Sequence, residues 1–180
     1  MVKDNNARLP SWPLTLGVIT CNIPSVSLTL RSEIKQTAPF VSPEQEVFLS
    51  LIRTAALLEH AVEEGLRPYS LTLTQYNALR ILRGAGSAGL CRNEIGDRLI
   101  RPVPDTTRLL DRLVVAGLIE RAREGDDRRF VRARISKRGL ALLKQIDGPL
   151  ADLHRTHLGH VSRPELRRLA DLLATVRSTR

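Results

Sequence analysis

The chain has little with which to build a redox or metal centre. It carries two cysteines in 180 residues, Cys21 and Cys91, at a separation unlike any metal-ligand or dithiol spacing. That scarcity predicts a reduced, cytoplasmic setting without disulfides, and no metal or cofactor. Aromatic residues are also sparse, at 3% against 42% hydrophobic residues overall. The core must therefore come from Leu, Ile, Val and Ala, which suits packed helices better than a β-sandwich. No apolar run approaches the roughly 18 residues of a membrane span, so no membrane partner is expected. Nucleophile elbow, phosphate-cradling glycine loop and paired metal ligands are all missing from the sequence, which argues against an enzyme.

Positive charge is abundant: the net charge is +9 and the pI about 10.7. Between Arg80 and Gly139 fifteen basic residues face eight acidic ones, and fourteen of the fifteen are Arg. Arginine forks onto phosphate and guanine and fits a narrow minor groove better than lysine. Charge of this kind points to a polyanion, most often nucleic acid, although a solvated face or an Arg-rich genome gives the same composition.

Residues 1–30 differ in texture from the rest. Pro10, Pro13 and Pro24 interrupt them and no periodicity persists, so no helix is expected. Lys3 and Arg8 ahead of Leu14–Ile19 loosely imitate a secretory signal, but Asp4 and the prolines break the pattern. A loosely docked arm fits better, or an upstream extension with Leu30 as the true start. The domain reading is an extension over 1–41, a dimerisation helix over 42–70, a DNA-binding domain over 71–139 and C-terminal dimerisation helices over 140–180.

Helix signals then recur along the chain. Ser42, Pro43 and Gln45 open a helix whose stripe Val47, Leu51, Ala55, Leu58 and Val62 predicts one buried face, ending near Gly65 to Pro68. Thr72 and Gln75 open a second, to Gly84, and a glycine-rich loop follows. A short helix over Cys91–Leu99 and another from Pro104 to Gly117, joined by Arg101-Pro102-Val103, make a helix-turn-helix. Leu118–Arg123 and Arg129–Ile135 alternate as the arms of a β-hairpin wing. Ser136 caps a long helix to about Leu158, with a bend expected at Gly148-Pro149, and Ser162 to Glu165 open the last, to Arg177. The expected fold is mainly α with a small β-wing, in the order α-α-α-α-β-β-α-α.

In the recognition helix Leu109, Leu110, Leu113 and Val114 form the inward stripe, which leaves Asp105, Thr107, Arg108, Asp111 and Arg112 outward. Thr106, Thr107 and Arg108 are the candidates for base or adjacent phosphate contact and Arg112 for phosphate. The bland alternative is ordinary solvated side chains. The wing reads Asp127-Arg128-Arg129, then Phe130 to Arg134, then Ile135-Ser136-Lys137-Arg138-Gly139. This resembles the signature Asp-x-Arg, five residues, Leu-Thr-x-x-Gly of the multiple antibiotic resistance regulator (MarR) family, with conservative Ile and Ser departures. The resemblance extends upstream through Cys91–Leu99 and Thr106–Ile119 and covers about Ser32 to Arg177.

That resemblance implies a winged helix-turn-helix regulator binding double-stranded DNA as a homodimer, most often as a repressor, on a pseudo-palindromic operator. By resemblance Arg129 enters the minor groove, Arg128 lies beside phosphate, Asp127 braces the turn and Asp111 braces the recognition helix against a wing arginine. The dimer interface would draw on Val47, Leu51, Leu58, Leu166, Leu169, Leu173 and Val176, although the same stripes could serve an intramolecular core. Many relatives bind a small phenolic or aromatic acid between the dimer and DNA-binding parts. His60, Tyr69 and Tyr76 are the candidates to line such a pocket, against a simpler role in packing or at the surface. His154, His157 and His160 lie three apart, but the third has rotated off the shared face, so no metal site is expected. Cys91 is expected to be a buried, inert thiol. A DNA-binding architectural protein and a protein-binding anti-repressor are the alternatives.

Overall fold

A computed structural model of the chain describes residues 29–123 and 131–178. The chain divides into two compact units, Met1–Leu49 and Ser50–Arg180. In the first, α1 (Leu30–Glu33) is a single turn that the sequence pattern did not predict. Helix α2 (Pro43–Leu66) opens there. The Ser42 hydroxyl accepts from the Gln45 amide, and the Gln45 side chain accepts in return from the Val41 amide. One of the orphan donors of the helix start, the Gln45 amide, is thereby satisfied, and the amide just ahead of the cap is paired as well.

In the second unit Thr72 and Gln75 form a complete capping box on α3 (Leu73–Ala85). Then come β1 (Leu90–Cys91), α4 (Arg92–Arg98), α5 (Thr106–Val115), β2 (Ile119–Arg123) and β3 (Val131–Ile135). Two helices close the chain, α6 (Lys137–Leu158) and α7 (Arg163–Ser178). The sheet is antiparallel in the order β1-β3-β2, with Leu90 opposite Ala133 and Ile119 opposite Ile135. Its core is aliphatic, as the poverty in aromatics requires: Leu79 and Leu82 of α3, Ile95 of α4, Leu113 of α5, and Leu143 and Ile146 of α6 are all essentially inaccessible.

Four expectations need correction. The sheet has a third strand, β1, too short to show any alternation. Pro104 stays outside α5, because Asp105 caps the helix by accepting from the Arg108 amide and the helix begins at Thr106, two residues later. The stripe on α2 is not buried within one chain: Leu51 and Leu58 are half-buried, Val47 and Ala55 are exposed, and only Leu66 is fully covered. Helix α6 runs on through Pro149. Gly148 ahead of it has no Cβ to meet the proline ring, which removes the usual obstacle to helical geometry before proline.

Candidate nucleic-acid interface

Helix α5 is fixed at its start, middle and end. At the start, Asp105 Oδ1 accepts from the Arg108 amide at 2.9 Å. In the middle, Asp111 Oδ1 meets Arg121 Nη1 of β2 at 2.7 Å. At the end, Gly117 adopts a left-handed conformation (φ 68°). There the Gly117 amide donates to Val114 O and the Leu118 amide to Leu113 O, the paired bonds of a Schellman stop. Inward, Leu110 and Leu113 are buried and Leu109 is partly covered, whereas Val114 is 37% exposed and is not part of the inward stripe.

Arg108 and Arg112 stand exposed, one turn apart on the outer face of this braced helix. Thr106 and Thr107 are half-buried in its first turn. Thr107 Oγ1 accepts from Arg92 Nη1 at 3.3 Å, and Arg92 also donates Nε and Nη2 to Asn93 Oδ1. Arg92, Asn93, Asp97 and Thr106 share a polar cleft of about 420 Å³ between α4 and α5. The turn between these helices is tied down twice, by the Ile100 amide donating to Asn77 Oδ1 at 2.9 Å and by Arg101 pairing with Glu59 of α2 at 3.0 Å. Asp127, Arg128 and Arg129, which the sequence assigns to the wing, lie outside the described residues.

Sequence reasoning missed Arg92, a cation opening the first helix of the motif, and it did not specify Arg121 as the arginine opposite Asp111. Strand alternation places Arg121 two residues from Ile119, on one face of β2, and could have singled it out. Cys91 is half-buried rather than buried. Its amide donates to Glu94 Oε2 at 2.7 Å, and this bond holds the Glu94 carboxyl below the usual carboxylate range.

The three effector candidates are not brought together. Tyr69 lines a cavity of about 340 Å³ with Leu71, Gln75, Leu118, Arg138 and Gln145. Tyr76 is buried in the core, where its hydroxyl accepts from Arg80 Nη1 at 2.8 Å. His60 is exposed on α2 and does not line that cavity. His154, His157 and His160 are exposed, and among the described residues no group of His, Cys, Asp and Glu could hold a metal ion. No helix among them is long and apolar enough to cross a membrane.

A helix-turn-helix whose second helix is bracketed by an antiparallel three-stranded sheet defines a winged helix-turn-helix protein. The MarR family profile matches residues 71–131. Over 112 residues the chain is 31% identical to the multiple antibiotic resistance protein MarR of Salmonella typhimurium, covering 62% of this chain and 76% of that protein. The crystal structure of a MarR transcription factor from Planctomyces limnophilus is 38% identical, with a TM-score of 0.59, covering 76% of this chain and 99% of that one. A mutant MarR from E. coli complexed with operator DNA is 26% identical, with a TM-score of 0.64 and coverage of 82% and 97%. The chain belongs to the MarR family of DNA-binding transcription regulators.

Proposed function

We propose that this regulator is a ligand-responsive repressor that binds a pseudo-palindromic operator as a homodimer. The exposed pair Arg108 and Arg112, on a helix held at three points, carries the operator-binding reading. The helix offers two exposed guanidinium groups, and Thr106, Thr107 and Arg108 lie at the N-terminal end that meets base edges in the major groove. Arg128 and Arg129 extend the contact to phosphate and minor groove, and Asp127 and Asp111 brace the wing and the helix. Homodimerisation is supported by apolar side chains that one copy leaves in water: Ile52 (54% exposed) and Leu57 (50%) on α2, and Leu169 (45%), Leu172 (55%) and Val176 (57%) on α7. A patch of that kind marks a contact surface. The cavity beside Tyr69 suits a small aromatic acid, with Arg138 for its carboxylate and Leu71, Leu118 and Leu142 for its ring.

Selection from random duplex DNA followed by footprinting tests the reading. Protection of one or a few short palindromes supports it. Broad coating would indicate an architectural protein, and no protection an anti-repressor. Arg108→Ala and Arg129→Ala should each weaken operator binding by about 5- to 150-fold in a salt-controlled titration while leaving the fold intact. Unchanged affinity would remove the residue concerned from the interface.

A further inference from the structure

We propose that Arg92 is a specificity-determining positioning residue, which sets the hydrogen-bond polarity of Thr107. The inference rests on the reading that α5 enters the major groove. A threonine hydroxyl can both donate and accept, and its proton rotates to suit its partner, so alone it discriminates weakly between base edges. Guanidinium has donors and no acceptor. Arg92 Nε and Nη2 are both anchored on Asn93 Oδ1, at 3.3 and 3.2 Å, which aims Nη1 at Thr107 Oγ1 at 3.3 Å. Because that oxygen receives a proton from Arg92, its own proton must point elsewhere, and among the described residues no acceptor takes it. One lone pair of Oγ1 remains, but beside the Arg92 cation donation by Thr107 is favoured over acceptance. Guanine O6 and N7, adenine N7 and thymine O4 can take that proton, whereas the amino groups of cytosine and adenine would meet only the one remaining lone pair, next to a cation. Two residues on different helices would then act as one reading element, and Arg92 need not touch DNA to do so.

The test uses the full chain and the operator that it selects from random duplex DNA. Each base pair of one half-site is substituted in turn and titrated against wild type, Arg92→Met, Arg92→Lys, Thr107→Val and the Arg92→Met/Thr107→Val double variant. Arg92 is exposed, so the variants should fold, and helical circular dichroism serves as the control. Arg92→Met should cost about three- to tenfold in discrimination at a single base pair, the size of one net hydrogen bond. The same base pair should lose discrimination in Thr107→Val, the double variant should lose no more than Thr107→Val alone, and Arg92→Lys, which still only donates, should recover most of the preference. Equal weakening on every sequence with a shallower salt dependence would overturn the proposal and make Arg92 a phosphate contact. Discrimination lost at a base pair other than that of Thr107, or at none, would overturn it too. If wild type enriches no sequence, the operator-binding reading beneath it falls instead.

Discussion

Gly139→Ala should destabilise the protein, although helix propensity alone predicts the opposite. Gly139 lies in the first turn of α6, where alanine is favoured over glycine by about 1 kcal/mol. A Cβ built there would stand 2.2 Å from Leu118 O and 2.8 Å from Ile135 Cγ1. Leu118 O cannot retreat cheaply, because it accepts from the Ser136 amide at 3.0 Å. Ser136 Oγ in turn accepts from the Gly139 amide and donates to Gly117 O at 2.7 Å. Overpacking costs roughly 1–3 kcal/mol, and displacing this knot loses a further hydrogen bond or two at about 1 kcal/mol each. Against the propensity gain, a net loss of about 1–4 kcal/mol follows. At roughly 2–4 °C per kcal/mol for a chain of this size, Tm should fall by about 2–16 °C. Thermal denaturation followed by circular dichroism measures it, at matched protein concentration because dimerisation shifts Tm. Gly84→Ala is the control: it lies in the last turn of α3, a Cβ there meets nothing within 4 Å, and it should gain up to about 1 kcal/mol. A Gly139→Ala protein that melts at or above wild type would refute the reasoning.

Asp147 pairs with Arg83 through two bonds, at 2.7 and 3.1 Å, and the guanidinium holds its carboxyl below the usual aspartate range. A depressed folded value means that the stabilisation is complete above the ordinary carboxylate range and is lost as pH falls through the lowered one. With Asp147 44% exposed, the pair is worth at most about 1 kcal/mol. Asp147→Asn should show that deficit near neutral pH and converge on wild type as pH falls through the lowered carboxylate range in urea titrations; a constant gap would refute it. Asp111→Ala breaks the contact with Arg121 and should weaken operator binding severalfold while changing stability by less than about 0.5 kcal/mol. Operator affinity equal to wild type would show that the brace does not matter to binding.

What was legible in the sequence was what short-range chemistry dictates. Thr72 with Gln75, Ser136 and Ser162 mark helix starts because their side chains serve amides two or three residues away, and the structure places α3, α6 and α7 there. Strand β1 was not legible. It is two residues long, and it pairs with Ala133 and Arg132, more than forty residues on. Its only sequence mark is Gly89, where a Cβ would fall 2.6 Å from Ala133 O, and among the glycines of that loop nothing distinguishes it. The α2 stripe was legible as an apolar face, but periodicity cannot say whether a helix face is covered by its own chain or by another. At the site, Arg108 and Arg112 follow from helical spacing alone. The pairing of Arg92 with Thr107 crosses between two helices, so it depends on their packing, which the sequence pattern does not contain.

The contacts around α5 also bear on how a ligand could act. With Asp105 holding its start, Arg121 its middle and the Gly117–Ser136 knot its end, α5 resists bending relative to β2 and to the first turn of α6. The cavity beside Tyr69 is lined by Ala116, Leu118 and Arg138, residues at or beside that knot. A molecule entering it would press on the end of α5 where the helix is stapled to the sheet. Its cheapest response is therefore a rigid movement of the helix together with the sheet, which changes where the reading head sits on DNA without changing its internal geometry. Helix α4 packs against α5 and the sheet and would travel with them, so effector binding would lower operator affinity while leaving the Arg92–Thr107 pair and the base-pair preferences intact.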